Sequence, residues 1–188
     1  MYQNERLNDM EVSNAEIIFR NFSGRATDYN REGDRNFSVV ISNPEQAVQM
    51  YQMGWNVQIR PKDANTRIEM KNACRTFEER IEFLRQRGEL EDALFHLKVT
   101  VSFKYEDKAP KVWLYRTAVK KRELMKESNI GTLDKAEIEN IDIVINPSFW
   151  QKNGRSGYMA FLKEAHVTIK ESSFVEKYKD YYDEDDAE

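Results

Sequence analysis

The stretch LFHLKVTVSFKY, residues 94–105, is the longest alternating segment of the chain. Val99, Val101 and Phe103 fall on one face of an extended strand, and Lys98, Thr100, Ser102 and Lys104 on the other. That period of two predicts a half-buried strand with one wet side. Ala109-Pro110 supplies a turn, and KVWLYRT, residues 111–117, returns as a second strand. In it Val112 and Leu114 oppose Lys111, Trp113 and Tyr115. If Val112 and Leu114 are core, Trp113 and Tyr115 stand on the opposite face. Two readings of that face stay open. The rings pack beneath a helical segment, residues 77–87 or 118–128, or they are offered to a ligand.

Working outward, residues 15–20 and 37–42 read as strands, separated by a polar loop over 21–36 with Arg25, Arg31, Arg35, Phe22 and Tyr29. Asn43, Pro44 and Gly54 mark the start and end of a helix. WNVQIR, residues 55–60, alternates as a strand. Residues 61–75 are polar and read as a loop. Thr76 and Glu79 form a capping-box pattern ahead of Phe77, Ile81 and Leu84, which recur at helical spacing. Residues 118–128 read as helical or irregular, and 134–140 as a short helix. Ile141, Ile143 and Ile145 share a strand face, Asn153-Gly154 signals a hairpin turn, and 158–170 reads as a last long strand. About seven short strands, not alternating as βαβ units, predict a mostly antiparallel barrel or sandwich with helical insertions.

Composition removes several classes of function. The chain has 188 residues, 40% hydrophobic and 33% charged, enough for one domain with a core. Residues 1–14 are polar and carry no apolar leader, so no secretory signal is expected. One cysteine, Cys74, excludes an internal disulfide and fits a reducing compartment. Two histidines, His96 and His166, leave little for a zinc site. No phosphate-binding glycine loop occurs, and no nucleophile has a histidine beside it in sequence. Gly154-Arg155-Ser156-Gly157 has the spacing of a KH-domain loop but sits between strands, so it reads as a hairpin. Asp63, Glu69 and Lys71 follow the order of a metal-dependent nuclease triad, in a stretch that reads as loop. No convincing catalytic set, cofactor site or metal site emerges, and a non-enzymatic binding protein is expected.

Charge is uneven. Residues 171–188 hold eight acids and two bases, leaving a slightly basic body. Such a tail serves as a solubilising end, a polyanion mimic or a partner-docking segment. On the strand faces, bases interleave with aromatics. Stacking of unpaired bases on rings, with lysines against phosphates, gives that pattern a purpose.

Asn21-Phe22-Ser23-Gly24, Tyr29-Asn30-Arg31-Glu32-Gly33, Arg35-Asn36-Phe37 and Gly54-Trp55-Asn56-Val57 resemble the opening of phage-encoded single-stranded DNA-binding proteins. Ala109-Pro110-Lys111-Val112, Asp142-Ile143-Val144-Ile145-Asn146-Pro147, Trp150, Asn153-Gly154, Gly157 and Ala160-Phe161-Leu162-Lys163 resemble the remainder. The likeness is colinear over residues 15–170. It implies an oligonucleotide/oligosaccharide-binding (OB) fold, a five-stranded Greek-key barrel, that coats unpaired phage DNA during replication or recombination. The segment 61–94 is longer and more helical than the family implies. The tail resembles the docking tails of bacterial single-strand binders but ends Asp186-Ala187-Glu188 rather than on an apolar residue.

The combined expectation is a mostly β, OB-fold-like antiparallel Greek-key barrel over residues 15–170, with a helical insertion at 61–93. A flexible N-terminus, 1–14, and an acidic disordered tail, 171–188, flank it. Single-stranded DNA is the expected partner, bound without sequence preference in the host cytoplasm. Trp113 and Tyr115 are the expected stacking platforms. Lys98, Lys104 and Lys111 are the expected phosphate contacts, with Arg25, Arg31, Arg35 and Arg60 at the rim. Replication or recombination proteins are candidate partners of the tail, and self-association is left open. The alternatives are a protein–protein adaptor or host-factor inhibitor acting through the tail, and a divalent-metal nuclease.

Overall fold

The computed structural model describes residues 7–117 and 120–170. Nine strands join in one mixed sheet: β1 (Met10–Val12), β2 (Ile17–Asn21), β3 (Arg35–Ile41), β4 (Val57–Arg60), β5 (Leu94–Val101), β6 (Lys111–Arg116), β7 (Lys121–Met125), β8 (Ile138–Lys152) and β9 (Arg155–Ile169). Helix α1 (Pro44–Gln52) separates β3 from β4. Helices α2 (Ala64–Ala73) and α3 (Phe77–Gln86) separate β4 from β5. Among the described residues no helix is long and apolar enough to cross a membrane.

Alternation decides which side of each strand is buried. Phe95, Leu97, Val99 and Val101 of β5 point inward, as do Phe37, Val39 and Ile41 of β3. Val112 and Leu114 of β6, Ile141, Ile143 and Ile145 of β8, and Ala160, Leu162, Ala165 and Val167 of β9 complete the same core. Each such aliphatic side chain contributes roughly 1.5–3 kcal/mol when fully buried. The helices close the core. Asn43 Oδ1 caps α1, accepting from the amides of Glu45 and Gln46. The Thr76–Glu79 capping box starts α3, whose Phe77, Ile81 and Leu84 are buried. Phe77 stacks on Tyr51 of α1 at a centroid distance of 4.0 Å.

The mostly β class holds, while the expected antiparallel Greek-key barrel is corrected in two respects. β9 pairs in parallel with β5 at Ala160–Phe161 and with β6 over Glu164–Ile169. The sheet also stays open: β1 and β2 end the strand order and do not pair with each other. Alternation reports burial but carries no information on strand direction, so the parallel pairings left no local signature. The two long strands hold the sheet together. β8 and β9 pair antiparallel along their lengths, around an Asn153-Gly154 turn in which both residues have positive φ. The opposite edge of β9 is shared in turn by Trp55, β5 and β6.

Four local expectations also change. Residues 64–73 form α2, not loop. Asp63 caps it through the Thr66 amide at 2.9 Å, and its short buried stripe, Thr66 and Met70, is too sparse to show as a periodic pattern. Residues 121–125 form edge strand β7, where pairing with β6 overrides the helix preference of Lys, Arg, Glu, Leu and Met. The short helix expected at 134–140 is replaced by a 3₁₀ turn at Ile130–Asp134, with β8 beginning at Ile138. Within the stretch expected to be a flexible N-terminus, Met10–Val12 pairs with β8 as β1. The acidic tail lies outside the described residues.

Candidate nucleic-acid interface

With Val112 and Leu114 buried, β6 turns Lys111, Trp113 and Tyr115 to the outer face of the sheet. Trp113 lies between Leu124 of β7 and His166 of β9, and Tyr115 between Arg122 and Thr168. Both rings are half-buried. Tyr115 stacks on His166 at 5.8 Å, and its hydroxyl is 2.9 Å from Nδ1. His166 Nε2 is 3.0 Å from Glu164 Oε1. A proton on Nε2 satisfies both contacts, with the Tyr115 hydroxyl donating to Nδ1. The network fixes the Tyr115 ring in place. Over Trp113 lies the Arg122 guanidinium, 4.4 Å from the ring centroid. The buried side chains of α2 and α3 that the core holds are Met70, Phe77, Ile81 and Leu84.

Along β9 the same face continues toward β5. Thr100 stands beside Phe161, and Lys98 follows, exposed, on β5. Lys98 Nζ donates to Asn30 Oδ1 at 3.4 Å, and Asn36 Nδ2 donates to the same oxygen at 2.7 Å. The loop between β2 and β3 is therefore tied to this face. Its base is rigid: Asn21 Nδ2 donates to the carbonyls of Arg25 and Asp34, both at 3.0 Å. The Asp134 carboxylate accepts the amides of Phe22 and Ser23. Arg25 and Arg31 are exposed on this loop, and Tyr29 is 91% exposed at its tip. Arg25 approaches Asp134 at 3.9 Å.

The expected site residues thus divide. Lys98, Lys111, Trp113 and Tyr115 share the outer face. Lys111 is the first residue of β6, opposite Glu164. Lys104 lies beyond the end of β5, in the loop before β6, with its ammonium 5.4 Å from the Tyr105 ring. Arg60, exposed on β4, sits over the Phe19 ring at 5.3 Å. Arg35 has the inward parity of Phe37 and Val39, and it pairs with Glu127 at 2.9 Å, away from this face. Phe22 and Phe37 stack in the core. Asp63 and Glu69, two of the nuclease-like residues, have structural partners: one caps α2 and the other pairs with Arg87 at 2.7 Å.

Four elements went unread in the sequence. Arg122 lay in a run, 118–128, that reads as helical or irregular. Tyr105, 57% exposed and flanked by Lys104 and Lys108, lay in what reads as strand. Phe19 projects from β2. The fourth, the charge on the hairpin that Asn153-Gly154 signals, did leave a signal. Between Asp142 and Glu164 there is no acidic residue, while Lys152, Arg155 and Lys163 are basic. This is the distal β8–β9 hairpin, on which Trp150 is exposed across from Gly157. Lys163 is paired with Asp9, so Lys152 and Arg155 carry the charge at the hairpin end. Gly157 is required there, since a Cβ would lie 2.8 Å from the carbonyl oxygen of Gly54.

A family model described as "Putative phage ssDNA-binding domain" matches residues 1–71 and 68–188, between them the whole chain. The chain belongs to this family. It is the family that the motifs around Asn21, Gly54, Pro110, Asn146 and Gly157 resemble. No curated protein matches. Among solved structures, the chain is similar to the single-stranded DNA-binding protein from bacteriophage Enc34. That protein's C-terminal truncation aligns at 11% identity and TM-score 0.42, covering 87% of each chain. The Enc34 protein in complex with ssDNA aligns at 12% identity and TM-score 0.41, covering 88% of this chain and 89% of the other. A further Enc34 structure aligns at 14% and 0.40, covering 93% and 90%.

Proposed function

We propose that the protein coats single-stranded DNA along the outer face of its sheet, without sequence preference, during phage replication or recombination in the host cytoplasm. Membership of the phage ssDNA-binding family supports the ligand. The observation that carries the site is the Arg122 guanidinium laid on Trp113 beside the fixed Tyr115–His166 pair. Bases stack on aromatic rings and on guanidinium planes alike, and neither surface distinguishes one base from another. Arg122 covers a face of the indole, so a base stacks on the guanidinium or displaces it. Lys98, Lys104 and Lys111 neutralise phosphates along the strand, with Arg25, Arg31 and Arg60 flanking them. Tyr105 between two lysines extends the same chemistry to the β5–β6 loop. No chemical step is assigned to the protein.

We read the open mixed sheet and its inter-strand loops as a relative of the OB fold, which grips oligonucleotides with such loops. The acidic tail competes with DNA for the cationic face, and partner proteins relieve that competition. The test is a salt titration of binding to unstructured oligo-dT, read by intrinsic tryptophan fluorescence, with duplex of equal length alongside. Quenching, single-strand preference and a steep negative salt slope are expected. Absence of binding at low salt refutes the proposal and leaves the tail as a protein-docking element.

A further inference from the structure

Phe19 is held in an unfavourable conformation in an unfavourable place. Its φ is +52°, in the left-handed region where bulky side chains are strained. The pairing of β2 with β3 explains the geometry. Ile18 faces Ser38 and Asn21 faces Asn36, so Phe19 and Arg20 together oppose Phe37. This is a bulge, and its positive-φ position is one that glycine or asparagine fills without strain. The bulge itself has a structural purpose. It directs Arg20 to the carbonyl oxygens of Leu133 and Ala136, at 3.0 and 2.8 Å, and sets Asn21 to close the loop. None of this requires an aromatic ring at residue 19. Yet the ring is there, 48% exposed.

Its surroundings give it a use. Phe19 meets His96 edge-on at 5.4 Å, and Arg60 lies over it at 5.3 Å. His96 is on the outward parity of β5, with Lys98 next along that face, and it is held by Ser38 at 3.1 Å. The arrangement repeats the Trp113–Arg122 plate: an aromatic ring on the outer face under a guanidinium. One plate stands on the β2–β4–β5 side and the other on the β6–β7–β9 side, with Lys98 and Lys111 as exposed cations of the same face.

Building on the single-strand reading above, we infer that Phe19 is a second base-stacking residue and that Phe19 with Arg60 forms a nucleotide subsite. The strain is the cost of keeping a ring exposed there, and a bound base covers it. Two plates on one face make the strand cross the sheet from β6 to β2, passing Lys111 and Lys98.

The discriminating variant is Phe19→Gly, which removes the ring and relieves the backbone. Labelled oligo-dT is titrated by fluorescence anisotropy, and folding is followed by urea denaturation of the same full-length protein. Phe19→Gly is expected to bind about 5- to 150-fold more weakly, the range for loss of one stack. Its urea midpoint should stay within error of the parent or rise, and its salt slope should stay the same. Phe19→Tyr should restore the affinity. Unchanged affinity in Phe19→Gly overturns the inference, as does a loss that tracks a fall in folded protein, which would mark the ring as packing alone. If the parent protein itself fails to bind oligo-dT, the single-strand reading falls instead.

Discussion

Replacing Trp113 with alanine separates stacking from charge. The indole is half-buried, with Arg122 4.4 Å above it and Leu124 and His166 as cross-strand neighbours. Loss of one base–aromatic stack costs about 1–3 kcal/mol. At about 1.4 kcal/mol per tenfold, that is roughly a 5- to 150-fold weaker complex. Charge is untouched, so the slope of log K against log salt should not change. Lys111→Ala is the counterpart: it should lower affinity modestly and reduce the magnitude of the slope by about 0.7, one phosphate contact on a single strand. Val112 and Leu114 keep their core positions in both variants. The stability cost of Trp113→Ala should therefore stay well under the roughly 3–5 kcal/mol of a fully buried tryptophan. Anisotropy titrations with oligo-dT at four salt concentrations give affinity and slope, and urea melts give stability. Affinity within twofold of the parent, or a loss that comes with a flattened slope, would refute the stacking role.

Three further outcomes follow from the same geometry. Gly157→Ala places a methyl 2.8 Å from the Gly54 carbonyl oxygen, so the Trp55–Tyr158 bridge must shift. A destabilisation of about 1–3 kcal/mol is expected in urea unfolding, and an unchanged midpoint would contradict the close approach. Deleting residues 171–188 removes eight acids and two bases. DNA binding should tighten at low salt and converge with the parent at high salt, and equal affinity at low salt would end the competition proposal. Burial, and then the nearby Arg60 charge, hold the His96 pKa below its ordinary value. The unfolded chain then binds this proton more readily, so stability falls as pH drops below about 6.5 and rises again with pH. His96→Gln should flatten that part of the stability–pH curve, and an unaltered curve would assign the dependence elsewhere.

Period-two alternation was enough to find most strands and the buried side of each. It placed Trp113 and Tyr115 opposite Val112 and Leu114, and it picked out the isoleucines of β8. Cap chemistry located α1 and α3 at Asn43 and Thr76. Pairing direction was not legible, because a strand's pattern records burial and not its neighbours; hence the parallel β5–β9 and β6–β9 contacts were unexpected. Helix α2 and strand β7 were hidden for related reasons. The first buries too little to show a period, and the second is an edge strand built of helix-favouring residues. For the candidate site, alternation gave the outer face but not what lies on it. That Arg122 covers Trp113, and that Arg35 turns inward to Glu127, depends on tertiary placement. The strain at Phe19 has no sequence signal, since only the β2–β3 register reveals the bulge.

The central claim is that single-stranded DNA lies on the outer face of the sheet. Amide and indole chemical-shift mapping of the isotope-labelled protein with oligo-dT tests it most directly. Shifts are predicted at the Trp113 indole and the amides of β5, β6 and the 160–168 part of β9, with Phe19 and the 22–34 loop joining them. Shifts confined to α2 and α3, or to the β1 edge, with the Trp113 indole unmoved, would contradict it.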